Sequence, residues 1–268
     1  MKKVLLIDGY NMLYRSRSGF KIGDNPIVFT FFRSLRALIG RFEPDIVYFV
    51  LEGVPRKRLE LSPEYKAQRT YTDDDGFSRQ RHRIIEMLSQ SFPIRVVRHD
   101  DYECDDVLAN IAYHSHPGDD VIVVSSDTDF YQMPKQHPGV RIYNPIRKAF
   151  VDPPDYDYVG WKALRGDSAD NVAGFPGIGD KRAEKLIRNP EDLIKFLSES
   201  PERKAKFQLN HELIRFHDMR EQMSEIQFLG PVSFIWEDVK TQFEEMDFKS
   251  ITKDAAWSKF SGTFVNLS

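Results

Sequence analysis

Cysteine is nearly missing: Cys104 is the single one in 268 residues. That excludes an internal disulfide and a cysteine-based zinc cluster, and it fits a reducing, cytoplasmic setting. The seven histidines show no ligand spacing with one another, and His99, the nearest to the acidic stretch below, is read as structural. Long hydrophobic runs are also missing. The amino-terminal run Val4-Leu5-Leu6-Ile7 is closed by Asp8, too short for the apolar region of a signal peptide. No stretch is long enough to span a membrane. Nor is there a surplus of positive charge. The net charge of −3 argues weakly, on its own, against a nucleic-acid partner. What remains is an ordinary globular composition, 41% hydrophobic and 29% charged, long enough for one large domain or two small ones.

The charge is unevenly distributed. Glu103, Asp105 and Asp106 fall within four positions, directly before an apolar pattern (Val107, Leu108, Ile111, Ala112) that fits one helix face. The helix dipole tolerates acids at a first turn, and capping needs one or two of them. A third is repelled by its neighbours unless a cation sits among them. Hard divalent ions such as Mg²⁺ and Mn²⁺ prefer carboxylates and water, so this stretch reads as half of a metal site. Cys104 within it reads as a small buried side chain, since surrounding carboxylates suppress its thiolate.

The other acids follow from the order of elements. Short apolar runs at 4–7, 46–51, 94–97 and 121–124 read as buried strands. Helical spacing appears over 26–42 (Phe31, Leu35, Leu38, Phe42), over 78–92 (Ile84, Ile85, Leu88) and from about Asp106. Strands alternating with helices predict a parallel sheet with right-handed crossovers, whose ligands sit beyond the carboxyl ends of the strands. Asp8, Glu52 and Asp127 fall at such ends. Asp129, two residues past Asp127 in an extended segment, would point the same way. Any one of these is equally well a loop acid; their agreement is the signal.

After Phe150 the pattern changes. Asp152-Pro153-Pro154 reads as a boundary between a core (1–150) and a mostly helical region (151–268). Helices are expected over 158–165, 181–188, 190–197 and 202–223, irregular or short-strand structure over 228–239, and a last helix over 253–260. Asp167 and Asp170 lead into Gly174, Gly177 and Gly179, whose turn can bring backbone N–H groups close to a phosphate, with Lys181 and Arg182 opening the next helix. A second basic stretch, Arg56-Lys57-Arg58 and then Tyr65-Lys66 and Arg69, follows Glu52. Lys66 and Arg69 would be neighbours on a helix, with Tyr65 placed to stack on a base or sugar. Residues 72–76 read as a loop without a metal role.

Leu6-Ile7-Asp8-Gly9, the 64–69 stretch, the 103–108 stretch, Ser126-Asp127-Thr128-Asp129, and 166–171 running on to Gly179 occur in this order. Together they resemble the flap endonuclease and 5′-3′ exonuclease family, over roughly residues 2 to 225 and closest in kind to its stand-alone, phage-like members. The resemblance implies a PIN-like α/β fold: a parallel twisted sheet flanked by helices, a helical arch at about 55–80, and a helix–three-turn–helix at about 160–190 that grips duplex DNA. It implies two Mg²⁺ or Mn²⁺ ions held by Asp8, Glu103, Asp105, Asp106, Asp127, Asp129, Asp167 and Asp170. Lys66 and Arg69 would contact the scissile phosphate, and Tyr65, Arg56, Arg58, Gly174, Gly177, Gly179 and Lys181 would contact DNA. A potassium ion at the glycine turn is part of the same implication. The family places an aspartate where this chain has Glu52, so that carboxylate is expected to be displaced by about one bond length.

These readings converge on a structure-specific 5′ nuclease. Its expected substrates are DNA with 5′ ends, flaps or nicks and RNA 5′ ends on DNA, and it is expected to act as a monomer. A PIN-like ribonuclease shares the acids and sheet but needs neither the glycine turn nor the arch residues. A non-catalytic DNA-structure binder would have lost several acids. A calcium-stabilised structural protein leaves the basic segments unexplained.

Overall fold

The computed structural model describes residues 1–19, 23–69, 74–230 and 235–268. β1 (Lys3–Asp8) runs straight into α1 (Gly9–Ser16), capped by Asp8, whose side chain accepts from Asn11 N at 3.0 Å. Next come α2 (Pro26–Phe42), β2 (Ile46–Val50), α3 (Arg56–Leu61), α4 (Asp75–Ser91) and β3 (Arg95–Arg98). α5 (Cys104–Asn110) continues as a π-helical turn, Ile111–Ser115, and leads to β4 (Asp120–Val124). A 3-10 turn at Asp129–Gln132 and α6 (Met133–Gln136) precede the hairpin of β5 (Val140–Asn144) and β6 (Ala149–Val151). α7 (Tyr158–Arg165), β7 (Gly166–Asp167), β8 (Val172–Ala173), α8 (Asp180–Arg188), α9 (Pro190–Ser198) and α10 (Pro201–Ile214) form a helical module. The chain ends with β9 (Gln227–Phe228), α11 (Trp236–Glu245), α12 (Lys249–Thr252) and α13 (Asp254–Gly262).

Among the described residues the main sheet has seven strands in the order β6-β5-β4-β1-β2-β3-β9. β1 to β5 pair in parallel, while β6 and β9 close the two edges antiparallel. Val4 to Ile7 are fully buried because both faces of the sheet are covered, which is why the central strands read as unbroken apolar runs. Alternate residues serve different cores. Leu5, Ile7, Phe49 and Ile122 pack under α2, α4 and the carboxyl-terminal helices. Val4, Leu6, Tyr48 and Val123 face α5, with Phe216 and Met219 packed on the same side.

The expected fold class is the observed one, and the structure corrects several details. The division at residue 150 falls inside β6, and α11 to α13 return to the first core rather than joining the helical module. The helix expected over 202–223 stops at Ile214, where the chain turns extended toward the sheet. α11 begins at Trp236 inside the segment expected to be irregular, of which residues 231–234 lie outside the described residues. No described helix covers 62–69: α3 is short, turns follow, and residues 70–73 of the expected arch also lie outside the described residues.

Phe243 of α11 is fully buried and packs its ring against Phe32, Phe248 and Phe260. Phe243→Ala is therefore expected to cost about 3–5 kcal/mol. Urea unfolding measures it, and an unchanged midpoint would show that the carboxyl-terminal helices do not share the core.

Candidate active site

Three parallel strands deliver acids to one edge of the sheet. Asp8 ends β1, Glu52 lies two residues past β2, and Asp127 lies three past β4. With Asp105 from the first turn of α5 they line a cleft of about 560 Å³, together with Lys66 and Arg69. Asp8 is fixed by Ser125 Oγ, which donates to its Oδ2 at 2.7 Å. The same hydroxyl accepts from Asp127 N at 3.0 Å, so one serine holds the carboxylate of Asp8 and the backbone of Asp127. Glu52 Oε2 accepts from Cys104 N at 3.0 Å, at the open end of α5.

Asp129 is not in an extended segment. It opens a 3-10 turn, its N–H donating to Asp127 Oδ1 at 2.9 Å. The turn aims it at a second group, and ligand oxygens of Asp129, Asp167 and Asp170 lie within 4.8 Å of one another. Burial, with repulsion from Asp127, raises Asp8 and Asp105 above the usual carboxylate range. Burial and the charge of Glu103 push Glu52 up to about 7. Burial also raises Asp129, although Lys162 pulls it back.

Not every expected residue faces this cleft. Asp106 is fully buried and turned inward; its carboxylate accepts from Arg58 Nη1 at 2.5 Å and Nη2 at 2.9 Å, and from His217 N at 2.8 Å. It is a partner for arginine rather than a ligand. Arg58 is 3% exposed and cannot lie on DNA. It also donates to Glu103 Oε2 at 2.7 Å and to the carbonyls of Leu213 and Arg215 at 2.8 and 2.9 Å. Burial works against its charge, but Asp106 and Glu103 outweigh it and raise its pKa. Tyr65, 4% exposed, is not a stacking platform either: its hydroxyl lies between Asp170 Oδ2 (3.0 Å) and Glu103 Oε2 (3.1 Å).

Lys66 and Arg69 do sit at the cleft, on a turn rather than a helix. Lys66 adopts a left-handed φ of 56° while its N–H donates to Asp170 O at 3.0 Å, the kind of local strain that surrounding bonds must impose. Its ammonium donates to Glu103, and Arg69 Nη2 donates to Asp170 Oδ1 at 2.6 Å. Arg56 is exposed and paired with Asp101. Cys104 is buried and protonated: burial and the charges of Asp8 and Asp105 push its thiol up. His99 is buried, its Nδ1 accepting from Asp101 N at 3.1 Å.

Lys162 was missed by sequence reasoning. It is buried on α7 and bridges Asp129 and Asp167. Its signal was position, about one turn of helix before an acid pair, in a helix read only for its extent. Tyr10, Asn11, Arg81 and Arg98, which also line the cleft, were missed too.

The glycine turn is exposed beyond Asp170. Gly177 has φ 73°, and a Cβ on Gly174 would stand 1.9 Å from Arg165 O, so both positions require glycine. Gly179, Lys181 and Arg182 face outward at the start of α8. The carbonyls of Gly174 and Gly177 accept from Lys206 and Arg182 at 2.7 and 3.5 Å.

The family model for the 5′-3′ exonuclease, N-terminal resolvase-like domain, matches residues 3–158. Among curated proteins, the thermostable DNA polymerase I of Thermus thermophilus is 28% identical over 99% of this chain and 36% of its own length. A 5′-3′ exonuclease of Aquifex aeolicus is 27% identical over 95% of both. This chain spans 27% to 36% of the length of the DNA polymerase I relatives from Thermus thermophilus, Chloroflexus aurantiacus and Bacillus caldotenax. Among solved structures, bacteriophage T5 flap endonuclease in a pseudo-enzyme-product complex with DNA and metal ions superposes with TM-score 0.61 at 20% identity, over 99% of both chains. The catalytic core of Rad2 in complex with DNA substrate gives 0.55 at 16%, over 98% of this chain and 92% of that one. At these identities the structural likeness speaks for the fold.

Arg58→Met would leave Asp106 buried without its partner, at a cost of about 3–5 kcal/mol. Arg58→Met with Asp106→Leu removes both charges and is expected to lose less. Denaturant unfolding of the two variants decides it; equal stability of Arg58→Met and the parent would mean that the ion pair holds nothing.

Proposed function

The chain belongs to the 5′-3′ exonuclease family, and we propose that it is a structure-specific 5′ nuclease that hydrolyses DNA phosphodiesters with divalent metal ions. One observation carries the metal requirement. Asp8, Glu52, Glu103, Asp105, Asp106, Asp127, Asp129, Asp167 and Asp170 meet at one sheet edge, against Arg58, Lys66, Arg69 and Lys162 as the cations paired or packed among them. Asp8, Glu52, Asp105 and Asp127, which line the cleft, make no salt bridge among the described residues, since these cations pair with Glu103, Asp106, Asp129, Asp167 and Asp170. Burial first, and the charge of neighbouring carboxylates with it, raises Asp8, Asp105 and Glu52. The donors facing the cleft are carboxylate oxygens, with the neighbouring thiol protonated. That set fits Mg²⁺ or Mn²⁺ and suits softer metals poorly.

Asp8, Asp105 and Asp127 would hold one ion with Glu52 beside them, and Asp129, Asp167 and Asp170 the other. When bound, such a pair supplies an acidified water and neutralises charge at the reacting phosphate. The chain's own groups do the rest. Lys66 and Arg69, at the cleft wall, neutralise charge on the phosphate oxygens. Glu103, between Lys66 and Arg58, fixes the height of the lysine ammonium. Lys162 keeps Asp129 and Asp167 aimed at each other. The glycine turn and the amino terminus of α8 hold a duplex backbone without reading bases.

DNA with 5′ ends, flaps or nicks fits this arrangement, as do RNA 5′ ends on DNA, with the protein acting as a monomer. A potassium ion at the turn would share the Gly174 and Gly177 carbonyls with Lys206 and Arg182. No described helix is long and apolar enough to cross a membrane.

Asp127→Asn is expected to lower cleavage of a 5′-flap DNA in Mg²⁺ by about 100-fold or more, while DNA binding in Ca²⁺ persists. Retained activity would remove the metal assignment, and faster cleavage of single-stranded RNA than of flap DNA would favour a ribonuclease. Lys66→Ala is expected to slow single-turnover cleavage by about 100-fold; an unchanged rate would end its catalytic role.

A further inference from the structure

Ser125 carries no charge and does not line the cleft, yet it stands between two acids that do. β1 and β4 run side by side in parallel with Ile7 opposite Val124, so the next residues in register are Asp8 and Ser125. Neighbouring strands lie about 4.8 Å apart, which puts a short hydroxyl within hydrogen-bond reach of the carboxylate. Ser125 N donates to Tyr143 O at 3.3 Å, the last tie to the sheet before the chain carries Asp127 to the cleft.

A hydroxyl has one hydrogen and two lone pairs. The N–H of Asp127 donates to Ser125 Oγ at 3.0 Å, and the hydrogen of that hydroxyl goes to Asp8 Oδ2 at 2.7 Å. The other Asp8 oxygen, Oδ1, accepts from Asn11 N at 3.0 Å. Cys104 Sγ is farther from it, at 3.9 Å, and stands 3.4 Å from Val50 O. Asp8 is thus held at both oxygens, and one of the two holds is a side chain from another strand. On the far side of the serine, Asp127 Oδ1 accepts from Asp129 N at 2.9 Å, so the same hydroxyl anchors the turn that leads to the second acid group. Ser125 is 1% exposed. It cannot touch an ion in the cleft and acts there only through Asp8 and Asp127.

We infer that Ser125 is a positioning residue for metal binding: its hydroxyl presets Asp8 and Asp127, from two different strands, as a ligand pair that favours Mg²⁺ over a larger ion. The inference rests on the nuclease reading and deepens it by assigning the choice of metal. Mg²⁺ demands near-ideal octahedral geometry at about 2.0–2.1 Å, whereas Ca²⁺ accepts flexible arrangements at about 2.3–2.6 Å. Carboxylates fixed before the ion arrives suit the first, and carboxylates free to move suit the second. Removing the hydroxyl releases Asp8 Oδ2 and the Asp127 backbone together, so the smaller ion loses more.

The test measures binding of Mg²⁺ alone and of Ca²⁺ alone by calorimetry, without DNA, to the parent, Ser125→Ala, Ser125→Thr and Ser126→Ala. Ser125→Ala is expected to melt in EDTA in one transition, about 2–4 °C below the parent. Its Mg²⁺ affinity is expected to fall about tenfold or more, and its Ca²⁺ affinity about threefold or less. Ser125→Thr keeps the hydroxyl and is expected to hold the parent's ratio of Mg²⁺ to Ca²⁺ affinity within about twofold. Ser126 Oγ accepts from Asn11 Nδ2 at 2.7 Å across the same junction but bonds to neither acid, so Ser126→Ala is expected to leave that ratio unchanged. An equal loss for both ions in Ser125→Ala, or no loss of Mg²⁺, would overturn the proposal. A threonine variant as weak as the alanine one would assign the effect to packing, and a matching shift in Ser126→Ala would assign it to the junction at large; either result overturns the proposal too. In all of these the parent still binds Mg²⁺, and the nuclease reading stands. A parent that binds neither ion would remove that reading and this inference with it. The expected ratios in a protein that cleaves no 5′-flap DNA in Mg²⁺ would keep the inference and remove the nuclease reading alone.

Discussion

Like charges held close in a desolvated place dominate this molecule. Two carboxylates with oxygens within 4.8 Å of each other repel by about 3 kcal/mol or more at the effective dielectric of a protein surface. The sheet edge gathers several such pairs. A fold of marginal stability keeps them only by supplying cations of its own or by leaving room for others. The structure does both. Lys162 neutralises the group around Asp129, and Lys66 with Arg69 neutralises the border between the two groups. Asp8 and Asp105 make no salt bridge among the described residues, and burial with the charge of Asp127 raises their carboxyls, Lys66 lowering Asp105 only in part.

The same logic explains how the helical module is attached. After Ile214 the chain has no regular partner, so core side chains satisfy its backbone. Arg58 donates to the carbonyls of residues 213 and 215. Gln132 Oε1 accepts from Phe216 N, Asp106 from His217 N and Asn110 from Met219 N. Each of these bonds is modest, about 1 kcal/mol net, yet leaving any of the groups unpaired in the interior costs more than that. The strap therefore fixes where the module sits more than it adds stability. Because Arg58 also holds Glu103 and Gln132 Nε2 donates to Asp129 O, the attachment and the acids are set by the same side chains.

This coupling is why the sequence told the acids better than their roles. Strand ends were legible because unbroken apolar runs followed by an acid have few other meanings. α2 lies where its Phe31, Leu35, Leu38 and Phe42 spacing puts it. Arg58 was read as a surface charge because it stands in a basic run, and such runs are usually solvated; only the meeting of α3, α5 and the end of α10 reveals that it is interior. Asp106 carried the same ambiguity, since adjacent residues on a helix point in different directions and spacing alone does not say which one meets the cleft. α1 was hidden by following β1 without a loop. β5 and β6 were hidden because an edge hairpin with exposed Arg141 and Phe150 lacks the apolar continuity of the centre. The return of α11 to α13 is a long-range fact that no local pattern contains.

Glu52 shows how far such reasoning reaches. Its carboxylate accepts from the first free N–H of α5, a cap supplied from outside the helix, since Glu103 at the cap position makes no side-chain bond to it. An acid at that point gains from the helix dipole and loses by standing next to Glu103. Burial and that neighbour win, and the group titrates near 7. One of its oxygens is committed to the backbone of Cys104, so the carboxylate orients α5, and with it Asp105, toward the cleft whatever else it binds. A longer side chain at this strand end thus keeps an acid beside the site while giving it a structural duty in the helix that presents the next one.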